Sequence, residues 1–324
     1  MFNFLAQIPL NAERLPAMDS AGWFGHVFTN SLIVAAIVAT IVLVFARRAT
    51  AKMELVPKAG GSQNLFEAII EALYDMLEGI VGRHMVAKVF PLLATLFLFI
   101  LVSNWFGLLP GVGTVGFNPV SEGRGALLSL HSVPTHAVPE NPLLRPANAD
   151  LNLTLGMALV FSVFWTIWSF QELGVGGFFG HIFGPKGEVS GILKYPLIAI
   201  FIFVGIIEVI SIAFRPVSLS LRLFGNIYAG ENLMHTMSDL GETMHMPTAI
   251  AFLMKIIIPI PFYFLELLVG VVQALVFTLL CAVYIKLTTS HEEGAHGDAH
   301  GHADDHSHNA DAAVPVAHAA ATAH

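Results

Sequence analysis

Residues 215–231 read Arg215-Pro-Val-Ser-Leu-Ser-Leu-Arg-Leu-Phe-Gly-Asn-Ile-Tyr-Ala-Gly-Glu231. They set Arg222 inside a long apolar stretch, where a permanent charge is expensive. A central arginine costs about 2.5–3.5 kcal/mol on membrane-insertion scales. Its guanidinium does not release its proton, so it cannot relay one. What remains is a fixed positive charge at membrane depth that needs a negative partner. That requirement points to ion translocation.

The rest of the chain fits a membrane setting. Of 324 residues, 55% are hydrophobic and only 12% charged, and the mean hydropathy is +0.72. Soluble domains carry roughly 25% charged residues. The composition therefore excludes a globular enzyme and implies an all-α polytopic membrane protein, because helices satisfy their own backbone hydrogen bonds in lipid. The net charge of −8 is concentrated at one end. Segment 291–324 holds six acids and no Lys or Arg, which leaves 17 acids against 15 bases elsewhere. No basic face suggests nucleic acid. The lone Cys281 excludes an intrachain disulfide. Residues 1–21 lack a basic segment before an apolar run, so no cleaved signal is expected.

Three apolar runs have the length of one crossing: Phe28–Ala46, Phe90–Leu109 and Leu151–Phe170. About 20 helical residues span a ~30 Å hydrocarbon layer. Tyr195–Leu240 and Ala249–Leu287 are longer than that. They are either steeply tilted or broken, and Pro216, Pro259, Pro261, Gly225 and Gly230 are the candidate weak points. Arg47, Arg48, Lys52, Lys58, Arg83 and Lys88 lie between the first two runs, and Lys186 and Lys194 between the third and fourth. The loop 111–150 has only Arg124 and Arg145. The positive-inside rule then places the N-terminus outside and the C-terminus in the cytoplasm of a bacterial-type plasma (inner) membrane. Residues 1–27 form an extracytoplasmic segment, 28–290 the membrane domain and 291–324 a tail.

Gln63–Glu78 has another pattern. Leu65, Phe66, Ile69, Ile70, Leu73, Met76 and Leu77 recur at helical spacing, with Glu67, Glu71, Asp75 and Glu78 largely opposite. This predicts an amphipathic surface helix with Ser62 as its cap. The acidic face favours a protein neighbour over anionic lipid. The tail carries eight of the 15 histidines in a low-complexity run. Its composition reads as solvated disorder, with no defined metal geometry.

Six charges fall in the last two long runs: Glu208, Arg215, Arg222, Glu231, Lys255 and Glu266. Residues seven apart drift only ~20° on a helix. Glu208, Arg215 and Arg222 therefore share a face, and Ser218 and Asn226 flank Arg222 on it. Glu266 and Gln273 share a face of the last helix. At 1.5 Å per residue, Glu208 is ~21 Å and Glu231 ~13 Å from Arg222 along the axis. Neither neutralises it within a straight helix. A carboxylate at ~4 Å would return about 4 kcal/mol at an effective dielectric of 20. That partner is either Glu266 or an acid of another polypeptide. The blander readings are that Arg215 and Lys255 snorkel to an interface, that Glu208 is a protonated buried acid, and that Asn226 and Gln273 are interhelical glue.

Pro216–Glu231 resembles the signature of subunit a of F-type ATP synthases. Val56-Pro57 with the following amphipathic segment, Asn104, Pro146-Ala-Asn-Ala-Asp-Leu-Asn-Leu-Thr154 and Gln273 agree in order and spacing. The resemblance covers about residues 25–290. It implies about five membrane helices plus one amphipathic surface helix, the last two membrane helices being long and strongly tilted. It also implies a stator role beside a c-subunit ring and peripheral stalk b-subunits, in lipid, with no cofactor and no metal. In that reading Arg222 matches the family's essential arginine, which sits between two ion half-channels. Glu231 matches an acid of the access pathway, and Glu266 sits where many relatives have His and others Glu. Glu208, Asn226, Gln273 and Ser218 fall at polar pathway or helix-contact positions. The loop 111–145 and the His-rich tail have no counterpart in the resemblance.

The sequence also admits two rival readings. A stand-alone secondary transporter would use Arg222 to bind an anionic substrate, but no internal repeat supports it. A metal-handling protein would depend on the tail. No phosphate-binding G-x-x-x-x-G-K-[ST] loop occurs, so direct nucleotide contact is not expected.

Overall fold

The computed structural model describes residues 29–51, 61–109, 112, 116–117, 141–142, 145–183 and 194–289. The expected N-terminal segment, the Val56-Pro57 motif, Arg124 and the His-rich tail lie outside these residues. Apart from a two-residue antiparallel pairing of Gly116–Phe117 with Asn141–Pro142, the described structure is helical. Five helical spans are long and apolar enough to cross a membrane. The fold is an all-α polytopic membrane fold.

Helix α1, Asn30–Thr50, buries Val34 and Val38 and ends on Arg47 and Arg48. These cations sit against the negative end of its dipole. Helix α2, Ser62–Val81, is the amphipathic element. Leu73, Leu77 and Val81 are buried, while Glu67, Glu71 and Asp75 are exposed. Gly61, not Ser62, is its N-cap residue, and Ser62 begins the helix proper. Gly82 ends α2 with a φ of 88°, a conformation cheap only for glycine. The chain then enters α3, Arg83–Gly107. A short 3-10 turn, Ala147–Ala149, leads into α4, Leu151–Phe183. Gly174, at φ 68°, kinks α4, so the helix folds back and Phe178 meets Trp165 edge-on.

The long runs resolve differently. The fourth forms one continuous helix, α5, Lys194–Ser238, which is uninterrupted at Pro216. The fifth breaks. After the single turn α6, Leu240–Thr243, helix α7 covers Thr248–Ile257 and α8 covers Pro259–Thr289. Proline fits a helix start because its missing N–H is an orphan there. The apolar span Ile200–Ser238 of α5 has 39 residues, about 58 Å of helix. To stay inside a ~30 Å hydrocarbon layer it must lean about 60° from the normal.

The core is built from α3, α8 and the inner faces of α2, α4 and α5. Val86, Val89, Leu93, Ile100, Leu219, Leu223, Phe277, Cys281 and Ile285 fill it. Helix α5 is the least covered: 11% of its apolar window is buried, against 50% for α3. Ile202, Phe203, Ile206, Ile207, Ile210 and Phe214 are all exposed along it. Where α3 meets α8 the backbones come close. A Cβ on Gly270 would lie 3.1 Å from the Cβ of Asn104. Gly270→Val should therefore force α3 and α8 apart and cost about 1–3 kcal/mol. The melting midpoint of the purified protein should fall, and an unchanged midpoint would contradict this packing.

Candidate functional site

Helical side chains lean toward the N-terminus of their helix. On α5 this makes each residue of the series Glu208, Arg215, Arg222 reach back toward the one before it. Arg215 reaches Glu208, with Nη2 donating to Oε1 at 3.1 Å. Its guanidinium lies 5.3 Å from the Trp165 ring centroid and 5.0 Å from that of Tyr284. With its side chain 17% exposed, Arg215 is held between helices rather than snorkelling to an interface. Seven residues before Arg222 the series offers only another arginine, Arg215. Among the described residues no carboxylate comes within ion-pair distance of it. It is exposed on the bare side of α5, beside Ser218, Leu221 and Asn226. The single face expected for all three residues is thus divided. The heptad drift and the aromatic contacts turn Arg215 inward, while Arg222 faces out.

A second polar group forms farther along α5. Glu266 of α8 is 8% exposed, and its carboxyl rests on the α-carbon of Gly230, in the space a Cβ would fill. It therefore neighbours Glu231. It does not serve as the counter-ion of Arg222, which lies eight residues, about 12 Å of helix, before Gly230. Glu231 Oε2 is buried and accepts no hydrogen bond among the described residues. Arg145, 2% exposed, donates to the Ala149 carbonyl at 3.2 Å. Arg145 and His235, one turn beyond Glu231, are the basic residues in the surroundings of the Glu231 carboxyl.

A series of polar contacts, most of them buried, ties α3, α8, α5 and the 3-10 turn together. Asn104 of α3 donates to the Gly270 carbonyl at 3.0 Å, and Asn148 donates to Asn104 Oδ1 at 2.6 Å. The Trp105 indole reaches the Leu267 carbonyl at 3.3 Å. Thr154 and Ser220 meet at 3.3 Å. Asn226 donates to Gln273 Oε1 at 2.6 Å, so these two residues do join α5 to α8. Lys255 stands apart, 4.0 Å from Asp239. Among the described residues no three metal-ligating side chains cluster.

Arg145 and Asn148 are the functional candidates that the sequence reading passed over. The signal for Arg145 was a base in an otherwise base-poor loop, directly before the Pro146 motif. Only the fold brings it to Glu231.

Residues 28–286 match the family described as ATP synthase A chain. The chain belongs to the ATP synthase subunit a family. Its relatives include the ATP synthase subunit a of Mycobacterium marinum, 32% identical over 280 residues, which cover 86% of this chain and 94% of the relative. The Protochlamydia amoebophila subunit is 29% identical over 84% of this chain and 83% of its own length. The Aliarcobacter butzleri subunit is 31% identical over 78% and 86%. As a member of the subunit a family, the chain is a non-catalytic, multi-pass membrane subunit of an ATP synthase.

The contact of Gly230 with Glu266 yields a test. Gly230→Ala leaves the helix intact but pushes the Glu266 carboxyl off its seat. Displaced rotamers cost about 0.5–1.5 kcal/mol, or roughly two- to tenfold in rate. ATP-driven ion pumping by reconstituted complex should slow by that amount at normal assembly. A wild-type rate would show that the seating of Glu266 is irrelevant.

Proposed function

We propose that the chain is the ion-translocating stator of an F-type ATP synthase, with protons as the coupled ion. Arg222 is the fixed charge between two half-channels. Its partners are the carboxylates of a c-subunit ring that turns past the bare side of α5. The peripheral stalk b-subunits anchor the chain, and lipid surrounds the rest.

One observation carries this reading: Arg222 is exposed on an apolar helix side, and among the described residues no carboxylate lies within ion-pair distance of it. Against lipid alone that arrangement has no compensation. Against a partner that brings a carboxylate, an attraction of about 4 kcal/mol at ~4 Å offsets the cost. The same attraction lowers the proton affinity of that carboxylate about a thousandfold. A protonated ring acid approaching Arg222 therefore gives up its proton to the adjoining half-channel. Its empty carboxylate passes the arginine and is reprotonated from the other half-channel. The guanidinium cannot carry a proton itself, so it also blocks a direct leak.

The polar groups divide accordingly. Glu231 and Glu266, with Asn226 and Gln273 at the joint of α5 and α8, line the outer half-channel. Arg145, His235 and Asn148 border it. Glu208 and Ser218 lie on the cytoplasmic side. Carboxylates suit these positions because they gain and lose protons. The N-terminus lies outside and the C-terminus inside, consistent with the basic residues around α2. Translocation belongs to residues 28–290, flanked by an extracytoplasmic segment, 1–27, and a solvated tail, 291–324.

Arg222→Ala should abolish ATP-driven acidification of vesicles that carry the whole complex, and normal pumping would refute the role. Glu231→Gln should slow transport about tenfold or more while the ring still co-purifies. An unchanged rate removes Glu231 from the pathway. Deleting 291–324 should leave pumping intact, whereas its loss would favour a metal-handling tail.

A further inference from the structure

Arg215 is the second arginine of α5, and its surroundings are unlike those of Arg222. It forms an ion pair with a residue seven positions earlier, at 3.1 Å. Seven residues cover about 10.5 Å of helix, beyond the three- and four-residue spacing at which helix pairs meet unaided. The long side chain has to be guided along the helix surface. Two rings guide it. The Trp165 ring of α4 and the Tyr284 ring of α8 both lie about 5 Å from the guanidinium carbon.

The rings are fixed in turn. The Trp165 indole donates to the Tyr284 carbonyl at 3.0 Å, its side chain is buried, and Phe178 packs on its edge. Three helices therefore fix one guanidinium, and the guanidinium fixes one carboxylate. Glu208, with 36% of its side chain exposed, keeps an open side.

We propose that Arg215 is a positioning residue: clamped between Trp165 and Tyr284, it holds the Glu208 carboxylate in place as the acid of the cytoplasmic half-channel. This rests on the stator reading above and adds a part to it. Only arginine suits the role, because a planar guanidinium stacks on rings while its N–H groups still bond a carboxylate. A lysine retains the charge but not that geometry. The clamp also keeps Arg215 from competing with Arg222 for a ring carboxylate, since its own charge is already matched.

The test is a double-mutant cycle read as ATP-driven pumping per assembled complex, with the amount of co-purified ring as the assembly measure. Arg222→Ala serves as the control for the stator reading: if it pumps normally, that reading fails whatever Arg215 does. Given an Arg222→Ala complex that does not pump, Arg215→Gln should slow pumping about three- to tenfold and Arg215→Lys should recover only part of the loss. Trp165→Leu, which leaves both charges in place, should slow it about two- to threefold. Glu208→Gln should mask Arg215→Gln, so that the double variant is no slower than Glu208→Gln alone. Multiplying losses, or a wild-type rate in Arg215→Gln, would overturn the proposal. If Arg215→Gln does not assemble, Trp165→Leu decides: the predicted slowing in assembled complex supports it. A wild-type rate, or failure to assemble, would reduce the cluster to a structural staple.

Discussion

The constraint on which the proposed mechanism depends is a guanidinium on an apolar helix, Arg222, that no carboxylate among the described residues neutralises. Arg222 projects from α5 on the side that the other helices leave bare. Its only neighbour in the heptad series is Arg215, already bound to Glu208. A lipid-exposed arginine in that position is unfavourable by several kcal/mol. In the proposed mechanism a partner that brings an anion offsets that cost.

The remaining architecture keeps that charge in place. Helix α5 packs along α4 but buries little of its apolar length, so apolar burial alone does not hold it in place. It is fastened at discrete polar points instead: Arg215 to the two rings, Ser220 to Thr154, Asn226 to Gln273, and Gly230 under the Glu266 carboxyl. Apolar side chains lack a water-driven reason to associate within lipid, so close backbone packing and interhelical hydrogen bonds do the fastening. Gly230 and Gly270 act in this way, each admitting a polar side chain where a methyl group would intrude.

Much of this was legible in the sequence, for identifiable reasons. Run length gave the spans, and the 3.6-residue period of Leu73 and Leu77 against Glu67 and Glu71 gave the amphipathic helix. The axial distances from Arg222 to Glu208 and Glu231 showed that neither neutralises it. Other features needed three dimensions. Pro216 reads as a possible break, yet α5 runs through it, while the break falls before Pro259. Heptad spacing put Arg215 and Arg222 on one face, but rings from α4 and α8 draw Arg215 inward. Glu266 was the internal candidate for Arg222, and packing sets it on Gly230 instead. Arg145 lies 86 residues before Glu231, so no local pattern could join them.

The proposed mechanism turns on which polypeptide supplies the anion for Arg222. The most direct measurement is the shortest guanidinium–carboxylate distance in structures of the intact membrane complex at several rotary positions. A partner's carboxylate is expected within about 4 Å in at least one position, and an acid of this chain at that distance in none. An acid of the same chain beside Arg222 at every position, or Arg222 in bulk water throughout, would contradict it.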